Sequence, residues 1–471
     1  MKYSDTLFNL SPAVEVAYDL HLVAALLRAS RSKEVDVALL SNAQSFNALL
    51  KAEPALAVSW NDSIPFDAIL QEKVLLAPSS KQSQIDRHLP ISSQLALVTD
   101  FVRTKGNPWD VGKRMALMVR RGCASDEEYV ALMSSLDDGE KDLWQAIVDQ
   151  KLQDRISSAP DDQLSSGVKS ALLQRSGPRM VVPGSGDLLP LLYPYASRLK
   201  RSLEKVIKWR DILPARHYVC LVDTLLRLHA FTEVHHLALA NIKLFELLRK
   251  ARQGHRFTEG QLKAEFDNHR LGLVPTGENL LQLARDISMR LESSRTFFGR
   301  MQEVEGKMGS LNELAAWCND IRTGSDKKVI KAMEGFDEDQ ANGELDRQIS
   351  KSRSRKNFEE FYRYVISQRI TATGTDGQFD QGYWARKIGE HRGARWKITI
   401  SPVAAMLFAG LAADGFQSCS FRDINDELRN SGLQLDQAAR EELYQLLKGL
   451  GLAVDSPDGD GGFLVRNPFF A

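Results

Sequence analysis

Apolar side chains recur three and four residues apart through most of the chain, and strict alternation of apolar with polar positions is scarce before residue 395. The first period lays one face of an α-helix against a core; the second is what a half-buried strand needs. The fold class this predicts is mainly α, with multi-helical bundle domains and a small α+β module near the C-terminus. Residues 12–29 and 92–104 read as amphipathic helices. Ser125 precedes Glu128 by three residues ahead of YVALMSSL, and Ser310 precedes Glu313 likewise ahead of LAAWCNDI. That spacing lets a serine and an acid close a helix N-terminus reciprocally. Residues 216–248 are apolar nearly all the way round, which predicts a bundle spine with neighbours on most sides. From 277 to 308 one long helix is expected, because Leu280, Ala284, Ile287, Leu291, Ser294, Phe298 and Met301 alternate spacings of four and three. Such a seam requires a second helix; 340–369 of the same chain is the predicted partner, with a second copy in a dimeric coiled coil as the alternative.

Irregular stretches divide this pattern. Residues 54–90 are rich in Pro and Ser, with one short strand expected at 73–77, and Gly, Pro and Ser gather again at 157–190. The predicted organisation is an N-terminal helical domain over 1–157, a loop-rich connector over 158–190, a central helical bundle over 191–396 and a C-terminal module over 397–471.

In that module SPVAAMLFAGLAA, SFRDINDELRNSG and LDQAAREELYQLLKGLG read as three helices, followed by two short apolar runs around the tip SPDGDGG at 456–462. The tip has turn chemistry and predicts a β-hairpin. Ile398 and Ile400 are candidates for a small strand, and Leu450 and Leu452 for closing the core beneath the hairpin. This order resembles a winged-helix domain over about seventy residues. The resemblance implies a third helix and a wing able to meet DNA, or use of the same module for protein docking. Residues 411–471 hold ten acids and five bases, and Asp436, Glu441, Glu442, Asp455, Asp458 and Asp460 stand on that helix and wing. Phosphate contact needs cations, so the acidic module favours protein docking.

Charge changes the picture only locally. Lys plus Arg equals Asp plus Glu at 61 each, so the whole molecule exerts no net pull on polyanions or membranes. Arg198, Arg201, Lys205 and Lys208 fall at i, i+3, i+7 and i+10, a cationic stripe on one helix. A second basic stretch, 345–397, holds twelve Lys and Arg against six acids, among them Arg353, Arg355, Lys356, Arg386, Lys387, Arg392, Arg395 and Lys397. Trp384, His391 and Trp396 interleave with the last five, a pattern suited to stacking bases while holding phosphates. Tryptophans anchored in a core beneath a solvated basic surface give the same pattern. A third reading has the basic segment packing on the acidic module.

Signs of catalysis are sparse. Cys123, Cys220, Cys318 and Cys419 are about a hundred residues apart, which suits a reducing compartment and neither a disulfide framework nor a zinc ribbon. His229, Glu233 and His236 share one helix side, and the Glu233–His236 spacing is that of di-iron carboxylate bundles, but no second ExxH completes a set. Buried polar residues satisfied by neighbouring helices, with Asp223 and Arg227 as an i, i+4 pair, are the reading adopted. Arg386 and His391 match a loose Arg-to-His spacing of certain all-helical ribonucleases. No phosphate-binding loop, dinucleotide fingerprint, GxSxG or HExxH is present.

The expectation is a non-enzymatic helical subunit or adaptor of a cytoplasmic multi-protein complex, without cofactor or bound metal, docking other protein subunits through the winged-helix module and not entering a membrane. In general form it resembles large helical accessory subunits of bacterial DNA-transaction or phage-defence assemblies. Two alternatives stand beside it: a direct DNA- or RNA-binding protein using the basic positions named above, and a helical metal-dependent hydrolase or ribonuclease.

Overall fold

The computed structural model describes residues 22, 23, 26, 111–137, 157, 194–213, 215–266, 272–301, 310–366, 384–388, 395–455 and 463–470. Among these the protein is mostly helical, with thirteen α-helices and seven short strands. The expected features at 12–29, 54–90, 92–104 and 158–190, the hairpin tip at 456–462, and His391 and Arg392 lie outside the described residues, the buried Leu22, Val23 and Leu26 apart.

Helices α1 (Val111–Gly122), α2 (Asp126–Asp137) and α3 (Ala196–Lys208) pack together beside α4 (Ala215–Arg252). At 38 residues, α4 is the spine the apolar run predicted, flanked by α1, α3, α5 (Glu259–Phe266), α6 (Leu280–Met301) and α7 (Leu311–Thr323). Its last turn carries Arg249, Lys250 and Arg252, cations placed where the helix dipole is negative. The seam of α6 is buried as its spacing requires: Leu280, Ala284, Ile287, Leu291, Ser294 and Phe298 are each at most 3% exposed.

That seam meets the chain's own downstream segment, but the single helix expected over 340–369 is two, α9 (Glu344–Lys351) and α10 (Arg353–Ile366), preceded by α8 (Lys327–Ala341). Ser352 breaks it. Its backbone is extended (ψ 124°), its hydroxyl donates to Glu292 of α6 at 2.7 Å, and the same oxygen accepts from the Arg355 amide at 3.3 Å. A side chain that offers the backbone an alternative partner starts a new helix more readily than it continues an old one. The Ser310–Glu313 box forms as read, and Gly324 ends α7 at a φ of 80°.

Strands β2 (Ala385–Ile388) and β3 (Arg395–Ile398) form an antiparallel pair. Then come α11 (Pro402–Ala413), β4 (Ser418–Ser420), α12 (Phe421–Asn430), β5 (Leu433–Gln434), α13 (Gln437–Gly449), β6 (Ala453–Asp455) and β7 (Phe463–Arg466). β4, β7 and β6 lie side by side in that order, antiparallel throughout, so the expected hairpin is present as β6 and β7. Leu452 packs on the core as read. Leu450 does not: it lies 36% exposed just past the end of α13. Ile400 follows β3 outside any strand.

The C-terminal elements are fastened to the bundle at several points. β5 pairs in parallel with β1 (Val274–Pro275), which precedes α6. Trp384 is fully buried, donates its indole N–H to the Thr224 carbonyl of α4 at 2.9 Å, and meets Phe408 of α11 edge-on at 5.5 Å. Phe469 stacks on Trp209 at 4.3 Å, and a Cβ on Gly410 would stand 2.5 Å from Phe469. Gly432 has a φ of 92°, and a Cβ there would come within 2.7 Å of Thr232 on α4. Among the described residues no helix is long and apolar enough to cross a membrane.

Gly432→Ala should therefore lose stability on two counts, left-handed strain and collision. Gly254, with a φ of 98° and open space where a Cβ would stand, isolates the first. In denaturant unfolding, Gly254→Ala is expected to cost about 1 kcal/mol and Gly432→Ala at least about twice that.

Candidate interface between the cationic helices and the C-terminal module

Three and seven residues along a helix are not equivalent. Seven make just under two turns, so Arg198 aligns with Lys205, and Arg201 with Lys208 about 60° away. α3 buries Leu199, Ser202, Leu203 and Val206, and the edge of the stripe bearing Arg198 and Lys205 turns toward the C-terminal module. Arg198 pairs with Glu427 of α12, the two side chains only 13% and 14% exposed. Lys205 reaches Asp414 and the Leu411 carbonyl at 2.9 Å each, at the end of α11 where unpaired carbonyls gather. Arg201 and Lys208 are exposed. The flanking cations are also engaged: Lys200 pairs with Glu128 at 2.6 Å, and Arg210 donates to the Ser135 carbonyl at 3.1 Å.

The second basic stretch meets the same module. Arg386 and Lys397 are cross-strand neighbours in β2 and β3, and both reach Glu442 of α13, at 3.7 and 2.6 Å. At the start of α13, Asp436 caps the helix while the Thr276 hydroxyl donates to its carboxylate at 3.2 Å and accepts its amide at 2.9 Å. Arg355 pairs with Glu359 within α10 at 2.8 Å. Arg353, Lys356 and Arg395 are exposed, and Lys387 stands in β2. The structure thus brings Arg198, Lys205, Arg386 and Lys397 to acids of one module. The Trp384 ring lies in the core, where it anchors chain and is closed to a stacked base, while half-buried Trp396 is covered by the Arg363 guanidinium at 5.0 Å.

Behind α3, helix α4 carries buried polar groups. His235 hydrogen-bonds the Tyr362 hydroxyl at 2.8 Å, and Arg227 pairs with Asp223 at 2.6 Å and donates to the Val365 carbonyl at 3.0 Å. The neighbouring helices do not satisfy every one of these groups as expected. Both ring nitrogens of His229 and one carboxylate oxygen of Glu233, one turn on, have no partner among the described residues. Burial depresses the His229 imidazole to about 3, helped by Arg198, and raises the Glu233 carboxyl to about 8 against the pull of Arg114. Both side chains are therefore neutral at pH 7. Among the described residues no three His, Cys, Asp or Glu converge as metal ligands, so His229, Glu233 and His236 do not form the set their spacing allowed. Burial lifts the Cys318 and Cys419 thiols to about 12 and Cys123 to about 11, leaving them poor nucleophiles; Cys220 is half-buried.

The basic excess across residues 198–210 and 345–397 was visible in sequence; the identity of each counter-ion was not, because the partners are 45 to more than 200 residues distant. A further basic run, RKARQGHR at 249–256, escaped that reading because it ends the apolar spine. No protein-family model matches the chain, and no curated protein sequence matches it.

Two outcomes follow. Arg198→Met leaves Glu427 charged with little water and should cost about 3–5 kcal/mol in unfolding experiments, whereas Arg201→Met on the exposed edge should cost less than about 0.5 kcal/mol. The second concerns pH. Glu233, raised from 4.5 to about 8, contributes stability that is complete below pH 4.5 and lost as pH rises through 8. His229 and His235, depressed from 6.5 to about 3, contribute stability complete above pH 6.5 and lost on acidification. Between pH 6.5 and 8 only the glutamate acts among these three, so unfolding midpoints should fall across that window in the parent protein and stay level in Glu233→Gln.

Proposed function

We propose that the protein is a non-catalytic helical adaptor that docks other protein subunits through the outer surface of its C-terminal module. One contrast carries this reading. The module's charged inner side is engaged by the bundle, while four of the seven large apolar side chains exposed among the described residues, Phe416, Leu450, Leu464 and Phe470, stand on it. A concentration of exposed apolar side chains on one module, out of proportion to the rest of the surface, supports a binding role for it.

The order α11, β4, α12, α13, β6, β7, with β7 central in its sheet, supports the winged-helix resemblance for residues 402–466. In DNA-binding winged helices the third helix enters the major groove. Here that helix would be α13, whose first turn is held by Thr276 and whose Glu442 faces Arg386 and Lys397. A protein-docking role suits a helix so engaged. What remains outward on the sheet is Leu464 and Arg466 of β7.

A second reading keeps one observation in its favour: Arg201, Lys208, Arg353, Lys356 and Arg395 are exposed cations with no acid bonded to them among the described residues. Direct nucleic-acid binding through them would fall steeply with salt.

Both readings are separable. Co-purification with the products of neighbouring genes should retain a partner on the parent protein and lose it on Leu464→Glu with Arg466→Glu, while Arg201→Glu with Lys208→Glu leaves it bound. If instead the second pair abolishes binding to duplex or single-stranded probes titrated at two salt concentrations, and no partner is retained, the adaptor reading fails.

A further inference from the structure

We infer that the bundle carries a second docking site, a cleft at the far end of α4 that takes one apolar side chain of a partner protein flanked by acidic residues. The site is built from bundle helices alone and goes beyond the adaptor reading, so its failure would leave the C-terminal module's role untouched.

The floor is aromatic. Phe245 of α4 lies 5.0 Å from Phe297 of α6 and 5.2 Å from Phe336 of α8 between ring centroids, and Met333 completes the lining. All four are at most 8% exposed, so the floor is rigid. The space above it is about 110 Å³. Sites for cofactors and drug-sized molecules run to roughly 300–1,000 Å³, so the cleft is too small for such a ligand and of a size for a single Leu, Met or Phe side chain. A lone anchor of that kind arrives attached to a partner chain, in the manner of a peptide hot spot.

Charge on the rim selects the flanks. Arg249 and Arg252 line the cleft, and exposed Lys250 and Arg256 continue the same basic run, which contains no acid. Their present counter-ions are on α8: Arg249 pairs with Asp337 at 3.3 Å and Arg252 with Glu334 at 3.0 Å. The four side chains are 33% to 60% exposed, so these are solvent-screened pairs that an incoming carboxylate can replace. Arg249 also lies over the Phe245 ring at 5.7 Å, which holds its guanidinium at the cleft mouth. A continuous phosphate backbone suits the rim less well than a peptide, since it would lay a run of charges along an edge that Glu334 and Asp337 share with the arginines. A peptide sets its carboxylates singly against Arg249 and Arg252 while its apolar residue fills the cleft.

The test is selection of random displayed peptides on the intact protein, counter-selected on an Arg249→Ser, Arg252→Ser variant. Both substitutions are at the surface, so the variant should keep its melting temperature. Peptides retained should carry Phe, Leu or Met beside Asp or Glu, and a synthetic copy should bind the variant about tenfold or more weakly, with Arg249→Lys, Arg252→Lys restoring most of the affinity. Absence of enrichment, enrichment of basic peptides, or equal binding to parent and Ser variant overturns the inference. Displacement of the peptide by a single-stranded oligonucleotide, lost in the same variant, would reassign the site to nucleic acid.

Discussion

A helix with no solvent-facing side constrains everything around it. α4 buries apolar groups on all sides over most of its 38 residues, so it is stable only when surrounded, and the other helices are the elements that surround it. The cost appears in its polar residues. His229, Thr232, Glu233, His235 and His236 have no route to bulk water, and the protein accommodates them by hydrogen bonds where geometry allows and by neutralisation where it does not.

The basic segments illustrate how charge is used in a protein of zero net charge. Arg198 and Lys205 from one segment, and Arg386 and Lys397 from another, are matched to Glu427, Asp414 and Glu442 of the acidic module. Only the Arg198–Glu427 pair is largely shielded from water, and it rejects a wrong neighbour because a misplaced module would leave its charges unpaired there; the other three have solvent-exposed partners and add little net stability. Apolar contacts such as Trp209 on Phe469 and Trp384 against Phe408 supply the attraction. The ion pairs fix where that attraction acts.

Much of the fold was legible because helices announce themselves locally. The Ser310 box, the seam from Leu280 to Phe298 and the all-round apolarity of α4 each follow from residues within a few turns. The break at Ser352 was not legible, since its cause is Glu292, sixty residues away in sequence. The same limit applies to the candidate interface. A spacing of i, i+3, i+7 and i+10 showed a stripe, but which edge of it met a neighbour depended on the position of α12, and only the 60° offset between its two edges, taken with the fold, separates Arg198 from Arg201. Leu450 was misassigned to the core because a short helix end can turn a residue outward without altering the pattern before it.

The close approach of Gly432 to Thr232 has a mechanical meaning. A turn that leaves no room for one methyl group acts as a pivot without play: the C-terminal unit has no gap there in which to rock or slide against the spine. A load applied to its outer sheet would pass through that point into the middle of α4, where Thr232 stands, so that module and spine would turn together as one lever.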